Sequence, residues 1–143
     1  MASVTETKLL GTLITNNFKW ENNTKCLVRK SFSRIELLRK VSEFYKSTND
    51  QLHINKTNVR SVVKQSAVVW HSSITTENTI ALERVQRVAV KIILDGTLSY
   101  KESLNILNIP TLKAKQESLT VIFANNCLKN EKSRNMFKLN TTK

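Results

Sequence analysis

Acidic side chains are the first candidates for chemistry in this sequence of 143 residues, because paired carboxylates hold metal ions and move protons. Aspartate occurs only as Asp50 and Asp95, and no two acidic residues are adjacent. Two-metal phosphoryl transfer needs converging carboxylates that hold ions about 4 Å apart. We therefore expect the acids to be solvated partners of basic residues, and we predict no catalytic residue and no metal site.

Histidine and cysteine add few candidates. Cys26 and Cys127 are far apart, with no CxxC motif and no Cys/His cluster, so a zinc site is excluded and reduced, buried thiols are expected. His53 and His71 are not spaced as metal ligands. His71 directly follows Trp70, which leaves two interpretations open. Either His71 packs at a helix end and bonds a backbone carbonyl, or Trp70 and His71 stack on a nucleic-acid strand.

Basic residues dominate the composition. Lys and Arg number 23 against 11 Asp and Glu, a formal net charge of +12. Such a chain attracts polyanions, although an acidic membrane or protein surface, or no polyanion partner at all, remains an alternative. Two glycines cannot build a Gly-rich phosphate loop. No apolar run is long enough for a membrane span or a signal peptide. We therefore expect an intracellular protein, in nucleus or cytoplasm, without a membrane partner or a small-molecule substrate.

Three predicted helices carry the basic residues opposite their apolar faces. The spacing of apolar residues predicts helices over about 23–45, 51–70 and 76–94. Residues three or four positions apart share one helix face. The candidates for contact with phosphate are Lys25, Arg29, Lys30, Lys56, Arg60, Lys64, Arg84, Arg87 and Lys91. Cationic faces of this kind predict salt-sensitive binding of RNA or DNA without base specificity.

Two shorter patterns frame these helices. Residues 8–15 (KLLGTLIT) predict one strand, with Gly11 at a bulge or a close approach of another backbone. Asp95-Gly96 ends the third helix, and the run SYKE that starts at Ser99 predicts a capping box for a helix that ends near Leu107.

The last helix is predicted from a cap at Thr111 to about Lys129, with Leu119, Ile122 and Phe123 directed inward. A polar tail follows. The whole pattern predicts a mainly α fold, with one short N-terminal strand followed by about five helices in a bundle.

Taken in chain order, five segments resemble the C-terminal part of non-LTR retrotransposon reverse transcriptases, of the jockey-like kind. The resemblance covers roughly residues 8 to 140. The segments are KLLGTLIT followed by Trp20, NVRSVVKQSAVVWHSSIT, LERVQRVAVKIIL, YKESLNILNIPTL and FANNCLKNEKSRNMFKLN. Departures from the family pattern occur at Asn55, at Lys64 and at Lys115-Gln116, where a Tyr, an acid and an Arg pair are usual.

The resemblance implies a primer-grip-like strand and turn over 1–20, with Leu9, Leu10 and Gly11 at the grip. It implies a helical thumb-like domain over 21–130, which closes over a template-primer duplex, and a polar tail over 131–143. The chain would then be a fragment of an RNA-directed DNA polymerase from a mobile element that retains a nucleic-acid-binding surface.

The family's adjacent pair of catalytic aspartates does not occur in this sequence. The chain is therefore not expected to be an enzyme on its own and needs no cofactor, since Mg²⁺ is expected only for the intact parent polymerase. Two alternatives remain: a decayed reading frame of a mobile element with no selected activity, or an unrelated small basic helical protein that binds nucleic acid.

Overall fold

The structure, a computed structural model, describes residues 4–136 and is mainly helical, which confirms the predicted fold class. The strands are β1 (Glu6–Leu9) and β2 (Thr12–Thr15). The helices are α1 (Glu21–Phe44), α2 (Thr48–Ile54), α3 (Arg60–Lys64), α4 (Ala67–Trp70), α5 (Thr76–Ile93), α6 (Tyr100–Ile106), α7 (Leu112–Lys129) and α8 (Glu131–Arg134). A π-helical turn (Asn55–Val59) joins α2 to α3, and a 3-10 turn (His71–Ser73) follows α4.

The N-terminal segment is a hairpin, so the prediction of one strand over 8–15 was wrong. β1 and β2 pair in antiparallel register, with Leu9 opposite Thr12. Leu10 and Gly11 form the two-residue turn with φ values of 48° and 83°, the two positive values that a type I′ turn requires. Gly11 is thus a turn residue and not a bulge. Leu10 hides the turn in the sequence, because leucine rarely occupies the first position of such a turn.

The core is built around α1 and α5, which pack along each other, and it is completed by α3, α4, α6 and the start of α7. Buried residues recur every three or four positions on both long helices, which places them on one face of each helix. The fully buried side chains of these two helices include Leu27, Ser31, Ile35 and Leu38 on α1, and Leu82, Val85, Gln86, Ala89 and Val90 on α5.

The region from α2 to α4 is broken, whereas the sequence predicted one continuous helix over 51–70. Ser66 adopts a left-handed conformation with φ of 52°. The Trp70 indole Nε1 donates to the carbonyl of Gln65 (2.9 Å), and the Gln65 amide donates to the carbonyl of Leu10 (3.0 Å). The local bond from Trp70 and the tertiary bond from Gln65 to the hairpin stabilise the break, and no Gly or Pro marks it in the sequence.

Helix boundaries in the C-terminal half agree with their capping signals. Asp95 and Gly96 follow α5 with positive φ values, and Ser99 and Glu102 form the predicted capping box of α6. The Thr111 side chain accepts a hydrogen bond from the Ala114 amide (3.2 Å) at the start of α7.

The far half of α7 leaves the core, so the prediction of an inward direction was wrong for Ile122 and Phe123. Ile122 is 51% exposed and Phe123 is 52% exposed, while Leu119 is half-buried. The last buried side chain of α7 is Gln116, whose amide donates to the carbonyl of Val63 (3.3 Å). Of the predicted polar tail, residues 131–134 form α8, and residues 137–143 lie outside the described residues.

Candidate nucleic-acid interface

The first basic groove, of about 440 Å³, lies between the hairpin and the N-terminal half of α1 and contains Lys8, Lys25 and Arg29. The buried Asn23 holds the hairpin in place, because its Oδ1 accepts a hydrogen bond from the Leu13 amide (3.1 Å). The predicted candidates Lys25 and Arg29 therefore face the same groove, which also exposes the unpredicted Lys8.

Two acidic side chains moderate the charge of this groove. Glu6 lines it and accepts a hydrogen bond from the side-chain amide of Asn22 (2.9 Å). Lys25 forms an ion pair with Glu21 at 2.7 Å, across one turn of α1. The hydrogen bond between them lowers the pKa of Glu21 and raises the pKa of Lys25. Both groups are exposed, so the pair is weak and yields readily to a phosphate.

A second groove, of about 590 Å³, separates α1 from α3 and is lined by Lys30 and Arg34 of α1, together with Gln65. Gln65 also donates to the hairpin turn at Leu10, so the turn lies beside this groove. Lys30 was a predicted candidate. Arg34 was not among the candidates, but it lies one turn after Lys30 on the same face of α1 and lines the same groove.

The third basic site is a smaller pocket of about 260 Å³ between α3, the loop before α7 and the first turn of α7. Its basic residues are Lys56, Arg60, Lys64 and Lys115. We call these four residues, with the loop over 108–110, the lysine pocket. Sequence reasoning missed Lys115 as a site residue, because no local spacing links it to a segment some fifty positions earlier.

Arg60 occupies a different place from the one predicted for it. It is only 5% exposed, and its Nη2 donates to the carbonyl of Pro110 (3.2 Å). Burial lowers the pKa of its guanidinium from the usual value. The predicted exposed row of Lys56, Arg60 and Lys64 does not exist as such, because the π-helical turn changes the phase of the helix and directs Arg60 inward.

The α5 residues Arg84, Arg87 and Lys91, which we call the α5 row, are exposed as predicted. The Arg87 guanidinium lies 5.0 Å from the centre of the Tyr100 ring, a distance at which a cation is attracted to an aromatic face. The three side chains are exposed, and Arg87 and Lys91 also line a pocket of about 230 Å³ beside Tyr100.

A hydrogen-bond network fixes the loop between α6 and α7. The Tyr100 hydroxyl donates to the carboxylate of Glu83, which also accepts the Leu112 amide (3.1 Å) at the first turn of α7. The Gln86 amide donates to the carbonyl of Pro110 (3.1 Å) and to the Tyr100 hydroxyl (3.0 Å). Burial and the bond to Glu83 raise the pKa of Tyr100. The network holds one wall of the lysine pocket in position.

Trp70 does not fit the stacking role predicted for it. Its ring is 0% exposed, and its only polar atom donates to the carbonyl of Gln65. A base cannot reach either face of this indole. His71 lies half-buried in the 3-10 turn after α4, as the packing interpretation expected, although its Nδ1 finds no partner among the described residues.

The predicted primer-grip residues lie at the tip of the hairpin. Leu10 is 89% exposed and Leu9 is also exposed, while Gly11 is half-buried against the side chain of Gln65. Phe18, at the opposite end of the hairpin, is exposed as well. The hairpin therefore presents an apolar tip beside two basic grooves.

Side chains that could bind a metal ion are dispersed in the described part of the chain. Within residues 4–136, no three His, Cys, Asp or Glu side chains come together as metal ligands. Cys26 and Cys127 are free and half-buried. Within the same range, no helix is both long and apolar enough to cross a membrane.

Comparisons with family models, with curated proteins and with solved structures find no significant match to this chain. The functional inference therefore depends on the geometry above and on the resemblance described from the sequence.

Proposed function

We propose that this chain is a nucleic-acid-binding region of the reverse-transcriptase thumb type, derived from a non-LTR retrotransposon, which binds the backbone of RNA or DNA without base specificity. The observation that carries the proposal is the grouping of basic side chains in concave sites between elements. A groove with several cations follows a phosphate backbone better than isolated cations do. The proposal assigns binding, and not polymerisation, to this chain.

Few of the basic side chains form ion pairs with acidic residues, which supports the proposal. Among residues 4–136, the ion pairs are Lys25–Glu21 and Arg39–Glu36, both between neighbouring turns of α1. Most basic side chains therefore keep their charge available for a partner. A surface of this composition raises the rate at which a polyanion encounters the protein, and low salt strengthens the effect.

The test is the affinity for a labelled primer–template duplex, measured by fluorescence anisotropy at a series of salt concentrations. Each phosphate that the protein neutralises contributes roughly −0.9 to the log–log slope on B-form DNA, so four or more contacts give a slope steeper than about −3. A flat dependence on salt would contradict the proposal.

A matched pair of variants locates the surface. Lys30→Gln with Arg34→Gln removes two charges from the second groove, whereas Lys129→Gln with Lys132→Gln removes two charges from α7 and α8. We expect the first variant to weaken duplex binding more than the second at equal net charge. Equal losses would mean that binding follows net charge and not these grooves.

A second candidate is a decayed reading frame whose apolar surfaces once docked on a missing domain. Exposed apolar residues favour it, at the hairpin tip (Leu9 and Leu10) and on α7 (Ile122 and Phe123). Patches of this kind mark interaction sites or aggregation liabilities. Sedimentation and urea unfolding of the purified chain separate the candidates, since a soluble monomer with one cooperative transition would count against the decayed frame.

A further inference from the structure

The lysine pocket gathers positive charge from two parts of the chain that are distant in sequence, residues 56–64 and Lys115. Lys56 lies in the π-helical turn, Lys64 at the end of α3, and Lys115 in the first turn of α7. No acidic residue lines the pocket, and within residues 4–136 none of the three lysines forms an ion pair. Like charges held together raise the free energy of the folded state, so an anion at this place would offset a cost that the fold otherwise carries.

The floor of the pocket is Arg60, the most buried of the four cations. More than nine-tenths of this residue is buried, and its Nε has no hydrogen-bond partner among the described residues. A buried donor without a partner is costly, and each instance calls for a physical explanation. Nε is itself closed off from solvent, so an anion in the pocket would stabilise the guanidinium through charge at close range and not through a hydrogen bond to Nε.

The wall formed by residues 108–110 is held by several contacts, one of them to Arg60. Asn108 adopts a left-handed conformation with φ of 50°, and the amide of Ile109 donates to the carbonyl of Leu104 (3.0 Å). The Ile109 side chain is buried in the core. The carbonyl of Pro110 accepts from both Arg60 and Gln86. A wall held by these contacts is organised before any ligand arrives, which reduces the entropy lost on binding.

The electrostatics of Lys64 agree with this geometry. Partial burial, together with the charges of Arg60 and Lys115, lowers the pKa of the Lys64 ammonium. A lysine in this position is less stable in its charged form than a lysine in water. A bound anion would reverse the effect of its neighbours and restore the charged form.

We infer that the lysine pocket is a binding site for one phosphate group of a nucleic-acid backbone, with Arg60 at its floor and Lys56, Lys64 and Lys115 at its rim. The pocket is wide enough for a phosphodiester and too small for a folded partner. The inference rests on the proposed function for the source of the phosphate. It adds that this pocket, and not the α5 row, holds the most strongly bound phosphate.

The experiment uses the full chain, the double variant Lys64→Met/Lys115→Met, and a matched control, Lys129→Met/Lys132→Met, with the same net charge. Lys129 is at the opposite end of α7 from Lys115, about 21 Å away at 1.5 Å per residue. The first probe is inorganic phosphate, titrated at constant ionic strength. Its binding is measured in two ways, by the shift of the thermal unfolding midpoint and by the change in the ¹H–¹⁵N signal of the Arg60 Nε–H group.

We expect phosphate at about ten times its dissociation constant to raise Tm by roughly 4 °C in the wild type and in the control. The Arg60 Nε–H signal should shift in the same titration. The pocket variant should fold with a Tm at least as high as the wild type without phosphate, and it should lose both responses. Equal responses in all three proteins would overturn the inference.

The second probe is the primer–template duplex. We expect the pocket variant to bind it about tenfold more weakly than the control, with a salt slope that is smaller in magnitude by about one unit. If both variants bind the duplex with the same dependence on salt, the inference of a phosphate site in the lysine pocket is overturned, while the proposed function stands.

A third probe identifies the source of the phosphate. Anionic phospholipid vesicles present the same chemical group on a membrane surface. A response to inorganic phosphate that depends on the pocket, with binding to vesicles and not to the duplex, would overturn the nucleic-acid source and the proposed function together. Binding to the duplex in preference to vesicles supports both.

Discussion

The lysine pocket and the α5 row carry similar numbers of basic side chains but differ in their surroundings. In the pocket, a buried arginine and three lysines share about 260 Å³ beside a wall fixed by hydrogen bonds. In the row, Arg84, Arg87 and Lys91 are all exposed and none is buried, although Arg87 and Lys91 border a pocket of about 230 Å³. Open cations cost little and attract polyanions over a distance, whereas enclosed cations cost more and can position one phosphate. The contrast separates general attraction from specific placement.

Replacement of the buried arginine provides the largest test of this contrast. Arg60→Ala should lower the free energy of unfolding by about 2–3 kcal/mol, because it removes packing and the bond to Pro110. Arg84→Ala in the α5 row should change it by less than about 0.5 kcal/mol. Urea denaturation measures both values.

A third variant shows which property of Arg60 matters for folding. Arg60→Met keeps most of the volume and removes the charge, so its effect should stay within about 1.5 kcal/mol. Equal losses for Arg60→Met and Arg60→Ala would mean that the charge, and not the packing, stabilises this site in the absence of phosphate.

The wall of the lysine pocket depends on Glu83, whose carboxylate links Tyr100 to the first turn of α7. Glu83→Gln weakens the bonds to the Tyr100 hydroxyl and to the Leu112 amide, and it should cost about 1–2 kcal/mol in urea denaturation. The exposed Glu117 of α7 is a matched control, and Glu117→Gln should stay within about 0.5 kcal/mol. If both variants behave alike, the network does not hold the loop.

The stability of the protein at alkaline pH tests the same wall, because the Tyr100 hydroxyl belongs to its hydrogen-bond network. Burial and Glu83 raise its pKa in the folded state above the ordinary value near 10. Its contribution is therefore fully present below pH 10 and declines as the pH rises above that value, because the unfolded chain then releases a proton that the folded chain retains. The free energy of unfolding should fall less steeply above pH 10 in Tyr100→Phe than in the wild type. Identical slopes would show that folding does not raise the pKa of Tyr100, which would contradict its burial beside Glu83.

The contrast between pocket and row also shows what a sequence can reveal. The periodicity of apolar residues predicted α1 and α5 because both helices are long and bury one face, and the caps at Ser99 and Thr111 marked the C-terminal helices because capping is local chemistry. The exposure of the α5 row followed directly from that periodicity.

The lysine pocket was beyond such reasoning, because it depends on tertiary contacts. Arg60 and Lys64 were predicted on one exposed face, but the π-helical turn and the break at Gln65-Ser66 are stabilised by bonds to distant carbonyls. Lys115 lies at the pocket only because the first turn of α7 packs beside α3 in the folded chain. The hairpin was missed for a local reason, since Leu10 occupies a turn position where Asn, Asp or Gly is usual.

The smallest expected effect is that of Lys64→Met, whose sign should depend on whether phosphate is present. Without phosphate, Lys64→Met should raise the free energy of unfolding by no more than about 0.5 kcal/mol, because the charge that it removes beside Arg60 and Lys115 is only partly buried and is screened by solvent. Lys91→Met in the α5 row should leave it unchanged. Added phosphate should reverse the order of wild type and Lys64→Met, since only the wild type keeps the complete pocket. Chemical denaturation of both variants with and without phosphate measures the reversal. If Lys64→Met is less stable than the wild type under both conditions, Lys64 stabilises the fold and does not serve a phosphate.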